Sequence, residues 1–250
     1  MANANSPTPR MLDEAAIRPG MRVLDVGCAM GLLTRELARR VGPDGSVLGI
    51  DREAERLDMA RAEQPPAGSG AIDYAAVDLT QPLPDLGQFD AVIGRRVLMY
   101  LPDPAGAVGG LVSLLRPGGV MAWHEHAGVA VPWSVCDLPE HARLASLIWN
   151  TIEREGGRRE TALRLPQMMR DAGLELESFR VEGIVLDEGS GGGAGQMARM
   201  MLPRMLATGV LDEANFDSEA FIAALQNEKL HAAAPIVWDF AYLSIGRKSA

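Results

Sequence analysis

The sequence predicts an α/β protein built on a doubly wound, mostly parallel sheet, and three observations carry that expectation. Short apolar runs alternate along the chain with amphipathic stretches at helical spacing. Carboxylates such as Asp51 and Asp78 stand at the ends of those runs, where open α/β sheets gather their ligands. A glycine-rich turn, Gly27 to Gly31, directly follows the first run and lets backbone approach a ligand closely.

Taken in order, residues 9–17 read as a short helix closed by Pro19 and Gly20, leaving little chain to cover the glycine turn. The first strand is the run Val23, Leu24, Val26, with Asp25 inside it. After the turn, Leu33, Leu37 and Val41 recur at helical spacing, and Gly42-Pro43-Asp44-Gly45 leads to a second strand, Val47, Leu48, Ile50, ending on Asp51. Residues 52–62 form a surface helix. The loop 65–70 leads into strand three, 72–77, which ends on Asp78 and Leu79. A proline-rich loop, 81–87, precedes strand four, 89–93, followed by Gly94, Arg95 and Arg96. Asp103 and Pro104 start the next helix, since aspartate caps free amides and proline fits the first turn. That helix runs to Leu115, and RPGG turns the chain into strand five, 120–124.

Beyond strand five, Asp137 with Glu140 reads as a capping box before an apolar stripe of Leu144, Ile148 and Ile152. A second helix, 163–172, precedes strand six, 174–186. The stretch 189–195 (GSGGGAG) reads as the most flexible part of the chain. Helices 196–207 and 217–230 and a last strand, 236–246, complete the pattern.

The 250 residues are enough for one domain with a sizeable core, and 47% of them are hydrophobic. A net charge of −9 with only two lysines, Lys229 and Lys248, leaves no basic stripe for a nucleic-acid backbone. Two cysteines, Cys28 and Cys136, make no disulfide framework, and Cys28 reads as a small residue in the turn. MANANSPTPR lacks an apolar signal core, and no apolar run reaches the length of a membrane span. The expectation is a cytoplasmic protein with a small-molecule substrate, no nucleic-acid or membrane partner, and a homodimer as the oligomer allowed for.

The glycine spacing bears on the ligand. The turn reads D-V-G-C-A-M-G, without the G-x-G pair of a dinucleotide fingerprint. Asp25 at its entry repels a pyrophosphate and suits a ligand carrying an ammonium and a sulfonium. At these residues the chain resembles the class I S-adenosylmethionine-dependent methyltransferases, whose first motif is (D/E)-x-G-x-G-x-G. Asp25 matches the acid, Gly27 and Gly31 the outer glycines, and Ala29 stands at the middle one. FDAVIGRRVLMYL and LLRPGGVMAW resemble the family's fourth and fifth strand regions, and IVWDFAYLSIG its final antiparallel strand. The layout is similar to the ubiquinone- and menaquinone-biosynthesis type.

That resemblance implies a seven-stranded Rossmann-like sheet, with a core of about 18–126, 174–187 and 235–248. A helical cap, about 127–173 and 189–234, is inserted after strand five and around strand six of a single domain, 1–250. It implies S-adenosylmethionine as cofactor, with Gly27 and Gly31 along its methionine and ribose part and Asp25 near the amino end. Asp51, with Arg52 beside it, takes the ribose hydroxyls. Asp78 takes the adenine amine, Leu79 lies against the ring, and the backbone of Gly94 and Arg95 closes the site near the sulfonium.

Methyl transfer is an in-line substitution, so positioning does most of the work, and a base is needed only if the acceptor must lose a proton. The candidate bases are His124 and His126 in WHEHAG, which share a face in an extended chain with Glu125 opposite. Each also reads as a hydrogen-bonded structural histidine, and no third ligand at recognisable spacing makes them a metal site. Tyr100, Trp123, Trp133, Met197 and Met201 are candidate substrate walls, and the methionine stripe beyond the glycines reads first as core packing and second as an adaptable lid. Arg158 and Arg159 read as a solvated turn or a grip for an acidic group. The function expected is methylation of a small apolar or aromatic metabolite at carbon, oxygen or nitrogen. The alternative is a relative of the fold that binds the cofactor without transferring methyl.

Overall fold

The computed structural model describes residues 7–186 and 193–250. Its sheet has seven strands: β1 (Arg22–Val26), β2 (Ser46–Asp51), β3 (Ala71–Ala76), β4 (Phe89–Arg95), β5 (Leu115–Glu125), β6 (Leu174–Leu186) and β7 (Ile236–Lys248). They lie in the order β3-β2-β1-β4-β5-β7-β6. The pairs among β1 to β5 are parallel, and β7 inserts antiparallel between β5 and β6. The strand order reverses between β1 and β4, and a crevice opens there at the carboxyl ends of the strands.

Side chains alternate across this sheet and divide the core in two. On one face, Val23 of β1, Ala91 and Ile93 of β4, and Val120 and Ala122 of β5 pack with α1 (Pro7–Glu14) and α2 (Leu32–Val41). On the other, Leu24, Val26, Val92, Met121 and Trp123 pack with α4 (Pro104–Ser113) and α6 (Thr161–Asp171). α3 (Ala54–Ala62) lies over β2 and β3. A third cluster joins α5 (Pro139–Arg154), α7 (Gly193–Ala207) and α8 (Ser218–Ala232) into a cap through Leu144, Ala198, Met205, Phe221 and Leu225.

Two expectations change. α6 belongs to the core and not to the cap, because Leu165 and Met169 are fully buried with Leu174 in the sheet cluster. The short N-terminal helix forms close to where it is expected, with Met11, Leu12 and Ala15 buried against the sheet. Asp137 caps nothing at α5, whose N-cap residue is Leu138 with no side-chain cap of its own. The Glu228 carboxylate of α8 instead accepts the N–H groups of Glu140 (2.7 Å) and His141 (3.0 Å), a cap supplied from across the helical cluster. Elsewhere Asp103 and Asp217 do cap α4 and α8, accepting from Gly106 and Ala220. The predicted flexible stretch lies outside the described residues from Gly189 to Gly192, and Gly193–Gly195 already belong to α7. Among the described residues, no helix is long and apolar enough to cross a membrane.

Candidate active site

The crevice widens into a cavity of about 1210 Å³ between the carboxyl ends of β1, β2 and β4 and the cap. Its core side begins at the glycine turn. Gly27 and Ala29 both have positive φ, +66° and +47°, and the N–H of Ala29 donates to Asp51 Oδ2 at 2.9 Å. Asp51 Oδ1 accepts the N–H of Glu53 at 3.0 Å. Backbone donors therefore fix this carboxylate, yet each oxygen keeps a lone pair for a ligand hydroxyl. Arg52, Asp78 and Leu79 line the same wall. Asp78 Oδ1 accepts from the N–H and hydroxyl of Thr80, which hold its carboxyl below the usual range.

At the far side His126 lines the cavity, and its Nδ1 meets Asp239 Oδ2 at 2.6 Å. With Nδ1 occupied, Nε2 is the nitrogen left to exchange a proton. Tyr100, Met197 and Met201 line the cavity as expected of walls, joined by Met99, Trp149 and Trp238. Arg204 closes one end: it pairs with Glu155 and lies 5.2 Å over the Tyr100 ring, tying α7 to α5 and to the 3-10 turn Leu98–Tyr100.

Six expected site residues do not line this cavity. Asp25 is 1% exposed beneath the turn, accepting the Thr34 hydroxyl at 2.6 Å, while its Oδ1 is buried without a partner. Burial pushes its carboxyl up to about 7. Gly31 is a packing glycine, because a Cβ there meets the Tyr74 hydroxyl at 2.3 Å. Gly94 is another, and Trp123 is the reason: a Cβ on Gly94 falls 1.9 Å from that indole, which is fully buried in the core and forms no cavity wall. Trp133 is 58% exposed and pairs through its backbone with Val237, away from the cavity wall. His124 points to the α1 face, where its Nδ1 meets the Thr8 hydroxyl at 2.8 Å. Burial, then the charges of His126, Arg95 and Arg96, lower its pKa, so it stays neutral.

The two histidines do share a face, with rings 5.4 Å apart and nearly parallel, but only His126 reaches the cavity. Glu125, on the opposite face, accepts the N–H groups of Val97 (2.8 Å), Leu98 (2.9 Å) and Met99 (3.4 Å) and anchors the 3-10 turn. Arg159 is tied to Glu153, and Arg158 to the carbonyl of Pro102, so neither is a free grip. The residue that sequence reasoning missed is Asp239, and its only sequence signal is an acid inside the apolar run IVWDF.

The model of the methyltransferase-domain family matches residues 17–173, and the chain belongs to that family. It is 38% identical over 109 residues to a ubiquinone biosynthesis O-methyltransferase of Pseudomonas aeruginosa, covering 43% of this chain and 45% of the relative. It is 36% identical over 110 residues to the nocamycin O-methyltransferase of Saccharothrix syringae, covering 44% of this chain and 39% of that protein. These matches span less than half the length of either relative. Among solved structures, the [4+2]-cyclase SpnF superposes with a TM-score of 0.56 at 22% identity, covering 97% of this chain and 80% of that one. That likeness concerns the fold alone.

Proposed function

We propose that this protein is an S-adenosylmethionine-dependent methyltransferase acting on a small apolar or aromatic metabolite. One observation carries the reading: the Asp51 carboxylate, oriented by the glycine turn, and the His126–Asp239 pair open onto the same cavity. The residues fit the cofactor. Asp51 offers lone pairs to a ribose diol, Asp78 and Leu79 offer an acceptor and an apolar surface to an adenine, and the buried Asp25, once ionised above about 7, places a negative field under the turn.

When bound, S-adenosylmethionine supplies an electrophilic methyl group on a sulfonium. The chain's own part is positioning and proton removal. Asp239 holds the His126 ring and stabilises the imidazolium that forms when Nε2 takes a proton from the acceptor. Met99, Trp149, Met197, Met201 and Trp238 exclude water and present an apolar surface to the acceptor. The acidic chain and the names of the two curated relatives support a small molecule as acceptor, at oxygen first, with nitrogen and carbon as the other nucleophiles.

The second reading is a member of the fold that binds the cofactor and converts its substrate without methylation, since the cofactor-facing residues would be the same in both cases. Mass spectrometry of reactions with S-adenosylmethionine and a panel of phenols, amines and enolisable acids tests both. Gain of one methyl with release of S-adenosylhomocysteine is the expected result. A product of unchanged mass and no S-adenosylhomocysteine supports the second reading and refutes the first.

A further inference from the structure

Among the described residues, five arginines line the cavity, and three have an acidic partner: Arg52 and Arg56 share Glu53, and Arg204 pairs with Glu155. Arg95 and Arg96 differ. Neither guanidinium has a salt bridge or hydrogen bond among the described residues, and the Nε of Arg95 is buried without a partner. Burial and the neighbouring Arg96 hold the Arg95 guanidinium down to about 10, against the pull of the deeper Asp25. These two adjacent cations are drawn to the buried Asp25 and Glu125 but bonded to neither, and they keep guanidinium donors that a bound anion can take up.

Their place beside the proposed base indicates which ligand supplies that anion. Arg95 pairs in register with His124 on β5, and the Arg96 N–H donates to the His124 carbonyl at 2.8 Å. His126 follows two residues on. Arg95 and Arg96 line the same cavity as the His126–Asp239 pair, so one ligand in it can meet both. We propose that Arg95 and Arg96 form an anion subsite for the acceptor, and that the acceptor carries a carboxylate close to the group that is methylated. This inference deepens the methyltransferase reading and rests on it for the word acceptor.

The test is ligand-observed saturation-transfer NMR with benzoate, 4-hydroxybenzoate and 3,4-dihydroxybenzoate against the matching primary amides. The wild-type protein is expected to bind the acids at least threefold more tightly than the amides. Arg95→Met and Arg96→Gln are each expected to reduce that preference, and the double variant to abolish it. Equal binding of acids and amides by the wild type overturns the proposal, as does a preference that survives in the double variant. Because Arg96 is exposed, Arg96→Gln decides the matter alone if Arg95→Met fails to fold.

A second arm separates the cofactor's own carboxylate from the acceptor's. S-adenosylhomocysteine is compared with its decarboxylated analogue on the wild type and on Arg95→Met. If the only carboxylate preference lost in the variant is the one for S-adenosylhomocysteine, the subsite serves the cofactor and the acceptor assignment falls. If the wild type does not bind S-adenosylhomocysteine at all, the methyltransferase reading fails, and the comparison of acids with amides on the free protein still decides whether the anion subsite exists.

Discussion

Replacing Asp25 with asparagine tests the electrostatics of the glycine turn. The wild-type carboxyl is raised from 3.8 to about 7, first by burial, against the Thr34 hydrogen bond, with Asp51 adding repulsion and Arg95 attraction. In the unfolded chain the group ionises near its ordinary value. Between the two values the unfolded chain has released a proton that the folded protein still holds. Stability therefore falls as pH rises from about 4 to 7, and the full penalty stands above 7. About three units at roughly 1.4 kcal/mol each make that penalty about 4 kcal/mol. The asparagine oxygen keeps the Thr34 bond, but its amide NH2 takes the place of the unpartnered Oδ1 at a cost of about 1–3 kcal/mol. The ligand-free variant should be about 1–3 kcal/mol more stable than the wild type at pH 8 and about 1–3 kcal/mol less stable at pH 4, where only the cost of the amide remains. On the proposed reading it should also bind S-adenosylmethionine more weakly, having lost a negative charge beneath the glycine turn. Urea unfolding at pH 4, 6 and 8, with calorimetric titration at pH 8, reads both effects. A ligand-free variant less stable than the wild type at pH 8, or a difference that does not vary with pH, refutes the reasoning.

Three further outcomes are expected. His126→Ala should lower kcat about 100-fold or more with KM little changed, and Asp239→Asn should act in the same direction, because the imidazolium loses its stabilising carboxylate charge and the amide NH2 can hold the wrong tautomer. Steady-state kinetics on an identified acceptor checks this, and an unchanged kcat in either variant contradicts the assigned base. Ala29→Gly removes a left-handed alanine at a gain of about 1–2 kcal/mol and loosens the unfolded chain at a cost of about 0.4–1 kcal/mol. It should leave stability equal or slightly higher and cofactor binding no weaker, and a loss above about 1 kcal/mol in urea unfolding contradicts it. Glu228→Ala strips the cap from α5 and the partner from His141 Nδ1, so the protein should lose about 2–4 kcal/mol, read by the same unfolding assay. A loss under about 1 kcal/mol would show that the cap rests on apolar packing alone.

The sheet was legible because its signals are local. Apolar runs of strand length, a glycine turn and acids at strand ends are written within a few residues of one another, and β1 to β4 follow them closely, whereas β5 begins at Leu115 and takes in the RPGG read as a turn. Asp51, Asp78 and Leu79 reach the cavity for the same reason: a strand's last residues lie at the crevice whatever else happens. What stayed hidden depends on distant pairing. Asp239 meets His126 because β7 runs antiparallel beside β5, and Glu228 caps α5 because α8 folds across it. No spacing in the chain announces either contact. Trp123 misled by proximity, since it precedes His124, while the alternation of a strand turns it to the opposite face, under Gly94. The assignment of α6 to the cap followed chain order, whereas Leu165 and Met169 bury themselves against the sheet.

The measurement that bears most directly on the central claim is calorimetric titration of the free protein with S-adenosylmethionine and S-adenosylhomocysteine, with Asp51→Ala alongside. Saturable binding of both ligands is expected, weakened at least tenfold in the variant, equivalent to about 1.4 kcal/mol. Absence of heat and of saturation with either ligand, from a wild-type protein that unfolds cooperatively, would contradict the assignment of this cavity to the cofactor and with it the methyl-transfer account.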